Sequence, residues 1–153
     1  MSITGRIVEQ KILAVRLATP EPELIAIYGR RRVGKTYLVR TFCKNAIVFE
    51  FTGIHEATMK TQLENFSQAL QLATKSAVAL AIPSNWLQAF VILDAYLNTL
   101  PSDKPAVIFF DEFPWIETHK SGFLQAFDLG RLKLMFCANM VLEFMQAVIH
   151  IGN

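Results

Sequence analysis

The segment at residues 29–36, with the sequence GRRRVGKT, constrains this chain more than any other stretch. It fits the pattern G-x-x-x-x-G-K-[ST], a glycine-rich turn between a buried strand and the start of a helix. Both neighbours are present in the sequence. The run LIAIY at 24–28 is apolar, and apolar residues recur at helical spacing in KTYLVRTF. The pattern therefore predicts a strand, a turn and a helix that together bind phosphate groups.

The residue types in this turn suit the phosphates of a nucleotide. Backbone N–H groups at the start of a helix attract negative charge, and Gly29 and Gly34 let the backbone come close. Lys35 is predicted to act on the β- and γ-phosphates as a catalytic cation, and the Thr36 hydroxyl to ligate Mg²⁺. For the three arginines two interpretations stay open: they support phosphates, or they face water or a partner. The predicted nucleotide-binding residues are Gly29, Arg30, Arg31, Arg32, Val33, Gly34, Lys35, Thr36 and Tyr37.

A second motif is the apolar run AVIFF at 106–110, which is followed by Asp111 and Glu112. An acidic pair can merely end a strand, but downstream of a phosphate-binding turn it predicts chemistry. Asp111, at the end of a neighbouring strand, can hold Mg²⁺ directly or through water. Glu112 can orient an attacking water or accept its proton, and it is the predicted catalytic base. The pair favours hydrolysis of a nucleoside triphosphate over transfer to a small molecule, for which no acceptor site is evident.

The remaining patterns predict an α/β fold. Helices that alternate with short apolar strands imply βαβ units and a mainly parallel sheet. The prediction is a three-layer αβα P-loop sandwich that is incomplete at the carboxyl end. Helices are predicted at 5–18, 35–45, 56–80 and from Trp86 onward after a cap at Ser84 and Asn85, and strands at 24–28, 46–51 and 106–112.

Composition excludes several other classes of protein. The 153 residues suffice for one domain, and a formal charge of +2 is too small to predict nucleic-acid binding from bulk electrostatics. Scattered histidines and two distant cysteines predict no metal cluster of protein ligands. A start without a signal peptide, and thiols without CxxC spacing, predict a cytoplasmic protein. The 52% of hydrophobic residues fit either a buried sheet or a surface that a partner covers.

The two motifs together resemble the prokaryotic archaeal-type ATPases, which are AAA+-like P-loop proteins near the STAND branch. The resemblance rests on YGRRRVGKTYLVR and FFDEFPWIE, with Gly5-Arg6 followed by Glu9, and with FEFTG and SGFLQAFD. It covers residues 3–128. It implies ATP as the ligand of the turn, Mg²⁺ at Asp111, water activation by Glu112, and a phosphate-loop strand beside the acidic strand. It further implies that Gly5 and Arg6 lie near the adenine.

The carboxyl end departs from that family. The chain therefore divides into a P-loop ATPase domain at 1–130 and an atypical apolar tail at 131–153. Two interpretations of the tail stay open: KLMFCAN mimics a sensor strand, with Asn139 as the phosphate-sensing residue, or the chain is a truncated or frameshifted copy. Charged and polar residues interrupt 132–151, so a packed helix or an aggregation-prone segment is predicted there and no membrane span.

The predicted function is Mg²⁺-dependent ATP binding, with hydrolysis weakened by the loss of sensor elements. No arginine follows Arg131, so the downstream arginine that such ATPases use to stabilise transition-state charge is absent. The alternative is a non-catalytic remnant or regulatory module that binds nucleotide and acts through a partner. A protein partner or a homo-oligomer fits either account, and a role for nucleic acid stays open.

Overall fold

The computed structural model describes residues 5–21, 23–116, 133–138 and 147–150, the last two ranges by their backbone alone. Helices and strands alternate along the first part of the chain, as predicted. The helices are α1 (Ile7–Ala18), α2 (Lys35–Phe42), α3 (Met59–Thr74), α4 (Trp86–Leu97) and the single turn α5 (Phe113–Ile116). The strands are β1 (Glu23–Tyr28), β2 (Ile47–Thr52), β3 (Val107–Asp111), β4 (Lys133–Ala138) and β5 (Ala147–His150).

The five strands form one parallel sheet in the order β2-β3-β4-β1-β5. The expected pairing of the phosphate-loop strand with the acidic strand is wrong, because β4 lies between β1 and β3. Ile27 of β1 is paired with Cys137, and Phe110 of β3 is paired with Phe136. The two motif-bearing strands are therefore separated by one strand, and both point their carboxyl ends to the same edge of the sheet.

Strands β4 and β5 lie where a packed helix or an aggregation-prone segment was predicted for residues 132–151, and β4 falls within KLMFCAN, the run that the other interpretation compared with a sensor strand. A strand inside a parallel sheet is typically apolar throughout, as is a buried helix, so periodicity does not separate the two in a short run. β4 occupies the position between β1 and β3, and β5 pairs with the other side of β1. Asn139, the predicted sensor residue, and Arg131 lie outside the described residues.

Each face of the sheet packs against its own helices, and this confirms the predicted three-layer αβα sandwich with a parallel sheet. On one face, α1 and α2 contribute Leu13, Leu38 and Val39 to a core with β1 and β3. On the other face, α3 and α4 pack aromatic and aliphatic side chains against β2 and β3. The large side chains of this second core include Phe49, Phe51, Leu63, Phe66, Trp86, Leu93 and Phe110.

The ends of the helices follow local capping chemistry. Asn85, one of the two predicted caps of α4, accepts a hydrogen bond from the Gln88 amide at 2.8 Å. α3 is shorter than the predicted 56–80. It begins after Thr58, whose hydroxyl accepts from the Thr61 amide, and it ends at Lys75, which has a left-handed backbone.

Candidate functional site

The predicted site lies at the carboxyl edge of the sheet, where β1 and β3 end. After β1 the chain forms a turn over residues 29–34, and α2 begins at Lys35. β3 ends at Asp111, and Glu112 follows directly. In open α/β sheets, ligands bind in the crevice beyond the carboxyl ends of the strands. The fold thus brings together two motifs that are 75 residues apart in sequence.

The turn after β1 has a backbone that its glycines permit. Gly29 has φ 152° and Gly34 has φ 85°, in a region that L side chains rarely adopt. Arg32 also has a positive φ, of 64°, and its side chain is exposed. A neighbouring element braces the turn: Arg6, just before α1, donates a 2.6 Å hydrogen bond from Nη2 to the Val33 carbonyl. Arg6 therefore contacts the turn between β1 and α2.

Lys35 is buried inside the turn, with 9% of its surface exposed. Its Nζ donates to the Gly29 carbonyl at 2.9 Å and to the Arg30 carbonyl at 2.8 Å. These bonds satisfy an ammonium group that would otherwise be costly to bury. They also keep the charge at the front of α2, where the helix dipole and the backbone N–H groups favour an anion.

Thr36 and Asp111 meet across the cleft. The Thr36 Oγ1 lies 3.1 Å from Asp111 Oδ1 and 2.9 Å from Oδ2, and its single proton is donated to this carboxylate. Asp111 is 6% exposed, and its Oδ1 also accepts from the Glu112 amide at 3.0 Å. A hydroxyl and a carboxylate that converge in this way are the oxygen donors that Mg²⁺ prefers, so the residues fit the predicted metal.

Glu112 lies on the rim of the same cleft with its side chain half-buried. Its backbone is left-handed, with φ 52°, which is uncommon for a residue with a side chain. The Trp115 amide donates to the Glu112 carbonyl at 2.9 Å and begins the turn of α5. Within the part of the chain that the structure describes, the Glu112 carboxylate has no hydrogen-bond partner.

The motifs enclose a cleft of about 420 Å³. Four cationic side chains and two carboxylates line it, which suits a polyanion that carries a divalent cation. Arg40 was not predicted as a site residue. Its signal was present, because Arg40 follows Thr36 by one helical turn and so shares its face of α2. The lining residues are Arg31, Arg32, Gly34, Lys35, Thr36, Tyr37, Arg40, Asp111 and Glu112.

The other predicted binding residues lie next to the cleft without lining it. Gly29 and Arg30 contribute the carbonyls that hold Lys35, and the half-buried Val33 packs against the core under α1 and α2.

Arg31 lines the cleft and also stacks on Trp115, with its Cζ 5.4 Å from the ring centroid. One guanidinium group is thus within reach of both the cleft and α5.

The described residues contain no group of three or more His, Cys, Asp or Glu side chains that could hold a metal ion. None of their helices is long and apolar enough to cross a membrane.

Burial raises the pKa of the Cys43 thiol under α2 to about 12, so this cysteine is a protonated core residue.

Comparison with known proteins adds one kind of information, the fold. No family model matches the sequence, and no curated protein matches it. Among solved structures, one chain in the structure of Drosophila ORC bound to DNA is similar, with a TM-score of 0.66 and 18% identity. The match covers 95% of this chain and 43% of that chain, so this chain spans less than half of its length. The likeness concerns the fold alone, a three-layer αβα sandwich around a parallel sheet.

Proposed function

We propose that this protein binds Mg-ATP in the cleft between α2 and β3 and hydrolyses it slowly. The observation that carries the proposal is the meeting of Thr36 with the buried Asp111, beside the buried ammonium of Lys35. A hydroxyl, a carboxylate and an ammonium at the front of a helix form the set that a metal-bound triphosphate requires. The AAA+-like fold supports nucleotide binding as the class of activity.

The turn and α2 supply the binding of the phosphates. Backbone N–H groups at the start of α2 point towards the cleft, because the first residues of a helix have no partners for them within it. Lys35 exchanges its contacts with the Gly29 and Arg30 carbonyls for the β- and γ-phosphates. Arg31 and Arg32 add positive charge around the cleft, whereas Arg40, which also lines it, forms an ion pair with Glu50.

Thr36 and Asp111 would hold the magnesium ion, Thr36 through its hydroxyl oxygen and Asp111 directly or through water. When bound, the ion neutralises negative charge on the β- and γ-phosphates. The hydrogen bond between Thr36 and Asp111 holds the hydroxyl and carboxylate oxygens close together before the magnesium ion binds. Little rearrangement is then needed, which lowers the cost of binding.

Glu112 is the proposed base. In hydrolysis a water oxygen forms a bond to the γ-phosphorus and loses its proton to the Glu112 carboxylate. The bond from the γ-phosphorus to the bridging oxygen breaks, and ADP and inorganic phosphate leave. The half-buried carboxylate on the rim of the cleft, next to Asp111, supports this assignment.

The finer identity of the protein rests on its motifs. The resemblance of YGRRRVGKTYLVR and FFDEFPWIE to the archaeal-type ATPases supports ATP as the nucleotide. In that interpretation the protein is a cytoplasmic P-loop ATPase. The contact between Arg6 and Val33 supports a place for the amino-terminal segment beside the nucleotide site.

A second candidate is a nucleotide-binding module that acts through a partner without hydrolysis. Exposed apolar side chains on and around α3 and α4 favour it, because such patches mark interaction sites. They are Leu72, Val78, Ile82, Leu87 and Val91, each more than half exposed.

Three proteins test the first proposal: the wild type, Lys35→Ala and Glu112→Gln. Calorimetry with Mg-ATP should show binding to the wild type, and Lys35→Ala should weaken it by at least about tenfold, since charge-assisted hydrogen bonds are lost. Glu112→Gln should retain ATP and abolish turnover. Lys44→Ala removes an exposed cation beyond the end of α2 and should leave binding unchanged.

The outcomes separate the two candidates. If the wild type and Glu112→Gln both hold ATP and neither hydrolyses it, the module is correct. If folded wild type gives no heat with Mg-ATP, both candidates are wrong. A rapid steady-state turnover by the isolated wild type would contradict the prediction of weakened hydrolysis.

A further inference from the structure

We infer that Gln62, on α3, is a positioning residue for Glu112 and thereby controls hydrolysis. This inference rests on the proposed function and deepens it. Gln62 is 3% exposed and lies outside the phosphate cleft. Its amide joins two backbone segments, the loop after β2 and the turn of α5 that follows Glu112.

The Gln62 amide makes three hydrogen bonds to backbone groups. Its Oε1 accepts from the Ile54 amide at 3.1 Å. Its Nε2 donates to the Ile54 carbonyl at 2.8 Å and to the Trp115 carbonyl at 3.0 Å. An amide with these partners fixes the relative position of both segments, because breaking the bonds leaves the polar atoms of the buried Gln62 side chain unsatisfied.

Gly53 brings the same two segments into direct contact. Its amide donates to the Asp111 carbonyl at 3.0 Å. A Cβ atom at position 53 would lie 2.9 Å from the Glu112 carbonyl oxygen and 2.7 Å from Ile116 Cγ1. A side chain there would push the backbone of Glu112 away, so the loop after β2 packs directly on the residue that bears the proposed base.

Glu112 needs such support because of its backbone. A residue with a side chain at φ 52° is strained, and such a conformation persists only when its surroundings hold it. Three hydrogen bonds hold it here. The Glu112 amide donates to the Asp111 carboxylate, and the Trp115 amide donates to the Glu112 carbonyl. The Gln62 side chain donates to the Trp115 carbonyl. Loss of the last contact frees the turn of α5 and with it the direction of the Glu112 side chain.

Asn65 provides a matched comparison. It lies one turn further along α3 and donates from Nδ2 to the Thr52 carbonyl at 2.9 Å, at the end of β2. It therefore ties α3 to the same region of the chain. Among the described residues its side chain hydrogen-bonds to Thr52 and not to α5, so a general loosening of α3 and a specific loosening of Glu112 can be told apart.

The test compares wild type, Gln62→Met, Gly53→Ala and Asn65→Leu for Mg-ATP affinity and for single-turnover hydrolysis with the protein in saturating excess over Mg-ATP. Methionine keeps the length of glutamine and removes its hydrogen bonds. Alanine at position 53 leaves the hydrogen bonds of Gln62 in place and displaces the Glu112 backbone by steric contact. In both variants the hydrolysis rate should fall by at least about tenfold, with affinity within about threefold of wild type, because an interaction of the transition state is lost. Asn65→Leu should keep both values.

Wild-type hydrolysis by a folded Gln62→Met protein would overturn the inference, as would equal losses of affinity and rate. Amide hydrogen exchange at Trp115, whose N–H bonds to Glu112, provides a readout that needs no turnover. Faster exchange in Gln62→Met and wild-type exchange in Asn65→Leu support the inference, and unchanged exchange in Gln62→Met overturns it. Failure of the proposed function is recognised separately, as absence of Mg-ATP binding or of turnover in the wild type itself.

Discussion

Backbone strain in this protein is concentrated near the cleft. Among the described residues, positive φ angles at positions with a side chain occur at Arg6, Arg32, Glu56, Lys75 and Glu112. Arg32 and Glu112 line the cleft, and Arg6 bonds to the turn that precedes Lys35. Strained conformations persist where surrounding contacts enforce them, which is common at functional sites.

Arg31 provides an optical test of events in the cleft. Its guanidinium group stacks on Trp115, and it also lines the cleft. If phosphates draw it away, the environment of the indole changes, because a cation–π contact of about 0.5–1 kcal/mol is lost. Mg-ATP should therefore shift the tryptophan emission of the wild type, and the shift should vanish in Arg31→Met and in Trp115→Phe.

Arg32→Met is the control for that measurement, since Arg32 lines the cleft without a stacking contact to Trp115 in the structure. It should keep the shift. A full shift in Arg31→Met at saturating Mg-ATP would contradict the prediction.

The side chains named by the two motifs differ from those found through the fold. Lys35, Thr36 and Asp111 were predicted because each has a type and spacing that phosphate and magnesium chemistry demand. Gln62 was not predicted, since a glutamine on a helix is ordinary in sequence and gains its role from contacts with α5. Arg40 was not predicted as a site residue either, and the fold places it in the lining of the cleft.

The carboxyl end of α3 can be tested directly by replacing Lys75, the residue that caps this helix. Lys75 follows the last residue of the helix with φ 54°, and the Ser76 amide reaches the Gln71 carbonyl at 3.2 Å. Glycine adopts this conformation without the penalty of a side chain. Lys75→Gly should raise the free energy of unfolding by about 1 kcal/mol in urea, because the left-handed strain is removed.

Gln68→Gly is the matched control, because Gln68 is an exposed residue in the middle of the same helix. It should lower the free energy of unfolding by about 1 kcal/mol, the ordinary cost of glycine in a helix. The interpretation of Lys75 is wrong if both variants are destabilised alike.

The strands show where sequence patterns stop being informative. β1 and β3 were predicted because each is apolar, short and bounded by breaking or acidic residues. KLMFCA has the same apolar character, but its neighbours gave no signal to distinguish a strand from a helix. Pairing with β1 and β3 places it in the sheet, and this is a contact between segments that are distant in the chain.

For the molecule as a whole, ligand binding should be coupled to folding. The cleft combines residues from the turn after β1, from α2 and from the end of β3, and the unfolded chain does not hold these together. A ligand that binds the native state alone adds about 2.7 kcal/mol of stability at one hundred times its dissociation constant. Mg-ATP should raise the melting temperature of the wild type accordingly.

Lys35→Ala should lose most of this stabilisation at the same Mg-ATP concentration, and Lys44→Ala should keep it. Thermal unfolding with and without Mg-ATP measures the difference. Equal stabilisation of the wild type and Lys35→Ala would show that the nucleotide binds elsewhere.

The amino-acid sequence was sufficient to predict an α/β sandwich, the turn at residues 29–36 and the acidic pair that follows an apolar strand. These are local patterns, in which residue type and spacing carry the physical requirement. The strand order, with β4 between the two motifs, and the contacts of Gln62 and Gly53 with the segment around Glu112 arise only on folding. They depend on which distant segments meet, and that is a property of the packed chain.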